Sequence, residues 1–288
     1  MRFNSLPPLI ASAMLVMNVL HIAPANAQYG REDLVKKVEQ TFGDPPGMIR
    51  LDPKGRVWVD KKNKRVVVDG YIALREGQLE MFACLAGTKE HESVVAVFSK
   101  AFVVHAGLLA VGADKGTPVK WQPNYQAPTG SEIQISCLWK DEETKEKKSI
   151  DARKWVRKVG TKDKVLDTNF VFAGSSMWKD PDTGKEMYQA ESGDFVCVSN
   201  FSTATLDVPM KSSDVNSGLM FAAFTDRIPP EGTPIRLVLS VVGNSKTGTK
   251  ATEKQDASKK PSITTLPDIP GLEGPPSETT PANIKEDK

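Results

Sequence analysis

Hydrophobic and polar positions follow a helical period near the start of the chain. In residues 31–42 the apolar positions recur three or four apart, at Leu34, Val35, Val38 and Phe42. Gly43 and the pair Pro45-Pro46 follow at once and stop a helix. The pattern therefore predicts a short helix at the periphery of the fold.

Beyond this helix the period shortens to that of strands. Residues 57–60 and 65–74 flank a polar tip at 61–64, which predicts a β-hairpin. Further strands are predicted at 79–85, 94–98, 132–139, 169–173, 194–199, 219–225 and 234–242. The polar stretch 175–192 predicts a long hairpin loop.

A second helix is predicted at 100–112, ended by Gly112. One face of this helix carries Ala101, Val104, His105, Leu108 and Leu109. Because His105 lies on this apolar face, a hydrogen-bonded core histidine is favoured there over a ligand. The elements together predict an α+β fold dominated by strands: a mainly antiparallel, twisted sheet with one central helix and the peripheral N-terminal helix.

The first 27 residues have the pattern of a secretory signal peptide. Arg2 precedes an apolar run at 9–22, and Ala25-Asn26-Ala27 gives a small-x-small cleavage pattern before Gln28. A transmembrane helix needs about 20 apolar residues, so this run is too short to remain as an anchor. The expected location is periplasmic or extracellular, with no transmembrane anchor.

The other end of the chain lacks the pattern of a folded segment. Residues 244–288 are rich in Pro, Thr, Ser and Lys and contain no aromatic residue. Such a composition buries too little apolar surface to offset chain entropy, so a disordered tail is predicted. The globular region is then 28–243, the size of one domain or of two closely packed halves.

Charge and cysteine content exclude two classes of protein. The formal charge is only +2, and Arg2 leaves with the signal peptide. This balance is not that of a nucleic-acid-binding protein, which needs clustered positive charge. The chain has three cysteines and an iron–sulfur cluster normally takes four, so such a cluster is not expected.

The densest group of titratable side chains follows the strand at 79–85. The loop Lys89-Glu90-His91-Glu92-Ser93 comes directly after Cys84 and a glycine turn. Cys84, His91 and Glu92 are of the types that ligate a divalent metal or perform acid–base chemistry, so they are the candidate metal ligands. The competing interpretation is a charged loop that caps a strand connection. No other cofactor is implied.

Four segments carry a resemblance to a known family. They are 79–97 with its Gly-Thr-Lys-Glu-His-Glu-Ser, 104–119, 170–175 continued by 188–190 and 194–201, and 227–235. Together they resemble the YdjY-like domain of exported bacterial proteins, especially those of planctomycetes, over residues 48–243. The family has no established reaction. Cys84 and Cys197 fall inside the family-like segments and Cys137 does not, which makes Cys84–Cys197 the favoured candidate for a disulfide.

Two hypotheses for function remain open at this stage. The first is a non-enzymatic module that binds an envelope protein or a small ligand. The second is a metal- or thiol-dependent enzyme centred on Cys84, His91 and Glu92.

Overall fold

A computed structural model describes residues 25–213 and 218–243, with side chains from Arg31 onward. The predicted signal peptide lies outside the described residues except for its last three, which open the first helix. The predicted tail at 244–288 lies outside them entirely. Within the described residues, no helix has the length and apolar character needed to cross a bilayer.

The described chain contains two α-helices, fourteen strands and several 3₁₀ turns. The helices are α1 (Ala25–Phe42) and α2 (Ala101–Ala110). The strands are β1 (Ile49–Arg50), β2 (Val57–Asp60), β3 (Arg65–Ile72), β4 (Met81–Leu85), β5 (Ser93–Val97), β6 (Glu132–Lys140), β7 (Lys147–Asp151), β8 (Val156–Lys158), β9 (Phe170–Val171), β10 (Met177–Lys179), β11 (Glu186–Tyr188), β12 (Val196–Cys197), β13 (Phe221–Ala223) and β14 (Pro234–Val241).

Ten of these strands form the main sheet of the described chain. Its central order is β12-β4-β5-β3-β14-β6-β7, with β1, β2 and β9 attached at its flanks. Two small sheets, β10–β11 and β8–β13, lie outside it. All pairs within the main sheet are antiparallel except β4 and β5, which run parallel. The strand-dominated α+β fold expected from the sequence is confirmed.

The two helices pack on opposite faces of the sheet. On β3, Val66 and Val68 belong to the main core, against which α2 packs. The alternate residue Val67 lies in a separate cluster with Trp58 and Val238, on the side that α1 covers. Because successive strand residues point to opposite faces, the valine run of β3 serves both helices.

A glycine allows α2 to approach the sheet closely. A Cβ atom at Gly107 would lie 2.9 Å from Leu51 Cδ1 and 3.3 Å from both Val59 and Val66. The helix differs from the expectation in one respect. Leu109, predicted on the buried face, is 48% exposed, and Gly107 takes the place against the sheet.

A buried ionic centre attaches α1 to the opposite face. Asp69 and Arg236 are cross-strand partners on β3 and β14, and Arg236 Nε donates to Asp69 Oδ1 at 2.6 Å. Arg56 Nη2 donates to Asp69 Oδ2 at 2.7 Å. Both guanidinium groups also donate to the carbonyl of Gly43 at 2.8 Å. The Gly43 carbonyl, at the C-terminal end of α1, is therefore bound by Arg236 of β14 and by Arg56, which directly precedes β2.

Candidate functional site

The loop singled out by the sequence connects two parallel neighbours in the sheet. β4 and β5 pair from Met81–Ser93 to Leu85–Val97, so residues 86–92 must return the chain along the length of β4. That distance is about 13 Å at roughly 3.3 Å per residue. Parallel connections usually take a dozen or more residues, which makes this crossover unusually short. Gly87, at φ +90°, opens the turn, and a Cβ there would collide with the Arg31 guanidinium.

Within the crossover, Lys89 pairs with one carboxylate of the same loop and one from a distant segment. Its Nζ lies 2.9 Å from Asp194 Oδ1 and 3.5 Å from Glu92 Oε1. The same ammonium group lies 5.2 Å from the centre of the Phe201 ring. The Glu80 carboxyl group hydrogen-bonds that of Glu92, which requires a proton between them. The charged loop is thus tied to β4 and to the segment preceding β12.

The electrostatics of this cluster follow from burial and close pairing. Burial, followed by the negative charge of Glu92, raises the pKa of Glu80 above its usual range. Burial alone would lower the pKa of Lys89, but the hydrogen bond and charge of Asp194 raise it instead. Glu80 can therefore retain a proton at a pH where an ordinary glutamate is ionised, while Lys89 stays charged. Glu80 is only 6% exposed, so this proton is shielded from solvent.

The remaining loop residues do not converge on one point. The His91 side chain is 77% exposed, and its Nε2 lies 3.8 Å from Glu92 Oε2. Glu90 turns the other way: it accepts hydrogen bonds from the Gly87 amide and from the Tyr71 hydroxyl, the latter at 3.2 Å. Ser93 is buried at the start of β5. His91 is therefore placed outside the network that holds its neighbours.

Cys84 is separated from His91 by the fold. Its thiol is fully buried next to Ser93, and burial raises its pKa. A metal ligand or nucleophile must be the thiolate, so this environment makes Cys84 unreactive. Across residues 25–213 and 218–243, no three His, Cys, Asp or Glu side chains are arranged to hold a metal ion. The structure does not assemble Cys84, His91 and Glu92 into one centre.

Cys84 and Cys197, the candidate disulfide pair, are separate buried thiols in the structure. All three cysteines are free and buried. In the β12–β4 ladder, Cys197 is opposite Met81, and Cys84 lies three residues further along β4. Three residues correspond to about 10 Å and to the opposite face of the sheet. A disulfide needs Cα atoms within about 7 Å, so this register keeps the two apart.

A second polar group surrounds His105 on α2. His105 Nδ1 lies 2.8 Å from the Tyr188 hydroxyl, which lies 3.2 Å from Thr205 Oγ1. The ring of His105 also packs edge-on against Phe172, with centroids 4.8 Å apart. Burial and the charge of Lys115 lower the pKa of His105, which favours the neutral imidazole. Burial raises the pKa of Tyr188 to about 12.

Comparison with known proteins assigns most of the described chain to a family. The family model of the YdjY domain matches residues 57–240, more than half of the sequence. The chain belongs to the YdjY domain family. No curated protein and no solved structure matched the chain.

The matched range contains both polar groups but not α1. Asp69 and Arg236 of the buried ionic centre belong to the YdjY domain, whereas Gly43 and Arg56 precede its first matched residue. The ionic centre therefore joins the N-terminal helix to the YdjY domain.

Sequence reasoning did not select two members of the charged cluster. The sequence does single out Glu80, because it is the sole charged residue in the apolar run 79–86. No sequence pattern singles out Asp194, because its partner Lys89 lies in a different segment and only the β12–β4 pairing brings the two together.

One face of α2 remains uncovered by the described part of the YdjY domain. Phe102 is 53% exposed and Leu109 is 48% exposed, with the exposed Ala106 between them. The Phe102 ring contacts Tyr188 at 5.8 Å, and Met177, the cross-strand partner of Tyr188, is 52% exposed beside it. Phe102, Ala106, Leu109 and Met177 are called the α2 surface below.

Proposed function

We propose that this YdjY domain protein is an exported, non-enzymatic binding module of the periplasm or cell envelope. In this proposal the α2 surface binds an apolar segment of an envelope protein. The surface is nonpolar and its residues lie on regular elements.

The apolar character of α2 on all sides carries this proposal. Its sequence, Ala-Phe-Val-Val-His-Ala-Gly-Leu-Leu-Ala, contains one polar side chain, that of His105. Ala101, Val104, Gly107 and Leu108 face the sheet, which accounts for one side. A helix that is apolar all round is normally buried all round. The exposed Phe102 and Leu109 thus indicate that another segment covers the helix in its functional state.

The environment of His105 supports a binding role for this helix. His105 hydrogen-bonds Tyr188, and Tyr188 hydrogen-bonds Thr205, so α2 is fixed to the segment that carries the β10–β11 hairpin. Glu191 accepts a hydrogen bond from the Phe102 amide at 2.9 Å and caps the first turn of α2. These contacts hold Phe102 and Met177 in fixed relative positions, which lowers the entropic cost of binding.

The structure gives less support to the alternative function, a metal- or thiol-dependent enzyme. Cys84 is buried with a raised pKa, and His91 points into solvent. Glu80, a carboxyl group whose pKa burial raises, is enclosed by Glu92 and the crossover. A general acid must come within hydrogen-bond reach of its substrate, and this position offers no such access.

Site-specific photo-crosslinking in cells tests the proposal. A photoreactive amino acid at Leu109 should form an adduct with an envelope protein, and the same probe at Ile49, also exposed at 57%, should not. The identified protein is then purified and titrated against the full chain. Phe102→Gln combined with Leu109→Gln should weaken its binding at least tenfold.

A matched surface change separates specific binding from general loss of apolar surface. Met220→Gln alters a residue that is 39% exposed outside the α2 surface and should change the affinity by less than twofold. Absence of a protein adduct specific to Leu109, or an affinity insensitive to the double change, would contradict the proposal.

A further inference from the structure

We infer that residues 263–272 of this same chain lie on the α2 surface when no partner is bound there. The inference concerns regulation of the proposed binding site and rests on the proposed function. It identifies the occupant as a segment that follows β14 in sequence, outside the described residues.

The tail contains one regular apolar pattern within its polar composition. Its large aliphatic residues recur at every third position: Ile263, Leu266, Ile269 and Leu272. Pro267 and Pro270 in the same stretch disfavour a helix or a central strand. A polyproline II helix has three residues per turn, so this spacing would align the four side chains in one stripe.

The dimensions of the stripe match those of the α2 surface. Phe102 and Leu109 lie two turns apart on α2, about 10 Å at roughly 1.5 Å per residue. Successive stripe residues of a polyproline II helix lie about 9 Å apart at roughly 3.1 Å per residue. Two neighbouring aliphatic side chains can therefore contact Phe102 and Leu109 together. Met177 is the cross-strand partner of Tyr188, whose ring contacts Phe102, and offers a further apolar side chain near that end of α2.

The surface has the composition that such segments bind. Polyproline II segments dock on grooves lined by aromatic side chains, because they lose little conformational entropy on binding. Phe102 provides an exposed aromatic ring, and the buried Tyr188 ring contacts it at 5.8 Å.

The connecting chain is long enough to reach. Residues 244–262 separate the last described residue from the stripe, and a flexible chain of this length spans about 24 Å on average. A domain of this size has a radius of gyration of about 17 Å. A tether of matching span gives an effective concentration in the millimolar range, so modest intrinsic affinity suffices for occupancy.

Crosslinking of the purified full chain tests the inference. A photoreactive residue at Leu109 should form an adduct with the peptide that contains 263–272, at a yield independent of protein concentration. Leu266→Asp combined with Ile269→Asp should reduce this adduct at least tenfold. The matched control, Thr264→Asp combined with Thr265→Asp, adds the same charge to the same segment off the stripe and should change the yield by less than twofold.

Three results would overturn the inference: no tail adduct, a tail adduct insensitive to the stripe changes, or a yield that rises with protein concentration, as docking between copies requires. These results are distinguishable from failure of the proposed function. An envelope-protein adduct at Leu109 without any tail adduct would contradict this inference but not the proposed function. If both are right, the stripe changes should also tighten binding of the purified envelope protein at least threefold.

Discussion

Lys89 Nζ lies 2.9 Å from Asp194 Oδ1, although the two residues are far apart in the sequence. This ion pair connects the crossover between β4 and β5 to the segment that leads into β12. Lys89 also approaches Glu92, and Glu92 hydrogen-bonds Glu80. The loop richest in titratable groups is therefore held by its charges, with His91 left outside.

Substitution of His91 and of Glu92 should have different effects. His91 is 77% exposed, so His91→Ala should change the free energy of unfolding by no more than about 0.5 kcal/mol. Glu92→Ala removes a partner from both Glu80 and Lys89 and should cost about 1–3 kcal/mol. Urea unfolding of the two variants measures this difference. Equal losses would show that both residues brace the turn.

The raised pKa of Glu80 should make stability fall with rising pH. The folded state keeps a proton that the unfolded state, with a pKa near 4.5, has already released. The contribution of Glu80 is therefore complete below that value and is lost as pH rises through the folded pKa. Glu80→Gln should flatten the decline between pH 5 and 7 by at most about 1.4 kcal/mol per pH unit.

Urea unfolding at pH 5, 6 and 7 provides this measurement. The exposed Glu76→Gln is the control with the same change of side chain. Parallel profiles for Glu80→Gln and the unchanged protein would contradict the predicted protonation of Glu80.

The ionic centre beneath α1 should be sensitive to loss of one partner. Arg236→Met leaves the buried carboxylate of Asp69 with Arg56 alone and releases one contact to Gly43. Breaking such a buried pair typically costs about 3–5 kcal/mol. Arg50→Met is the control: Arg50 is exposed, lies 3.6 Å from Asp44 and donates to the Gly55 carbonyl, so its loss should cost only about 1 kcal/mol. Similar losses would argue against a buried role for Arg236.

The three thiols should be unreactive until the protein unfolds. Burial raises the pKa of Cys84, and raises it further in Cys137 and Cys197. At pH 8 a thiol reagent should modify fewer than one thiol per chain within minutes, and all three in guanidinium chloride. Peptide mapping without reductant should find no Cys84–Cys197 link, and detection of that link would contradict the β12–β4 register.

The export prediction has a direct test. Cleavage after Ala27 should give an exported protein whose first residue is Gln28. N-terminal sequencing checks this, and a start elsewhere would contradict the assignment of 1–27. Ala27→Leu is expected to slow processing, because the cleavage site requires small residues.

Local patterns predicted nine of the fourteen described strands but missed β1, β7, β8, β10 and β11, and they did not predict how the strands pair. The β2–β3 hairpin and the two helices follow from spacing along a single segment. The parallel pairing of β4 and β5 does not, because a seven-residue connection ordinarily indicates an antiparallel pair. The same limit explains Leu109: the apolar pattern of α2 has no polar side, so it could not indicate which residues face the sheet.

The sequence by itself determined the strand-dominated α+β fold, the likeness to the YdjY domain family and the position of the charged loop. The tertiary structure alone decided which groups meet. Lys89 forms an ion pair with Asp194 only because β12 pairs with β4. The register of the same pairing separates Cys84 from Cys197. Contacts between distant segments depend on register and strand direction, and a single-residue shift would place each side chain on the opposite face.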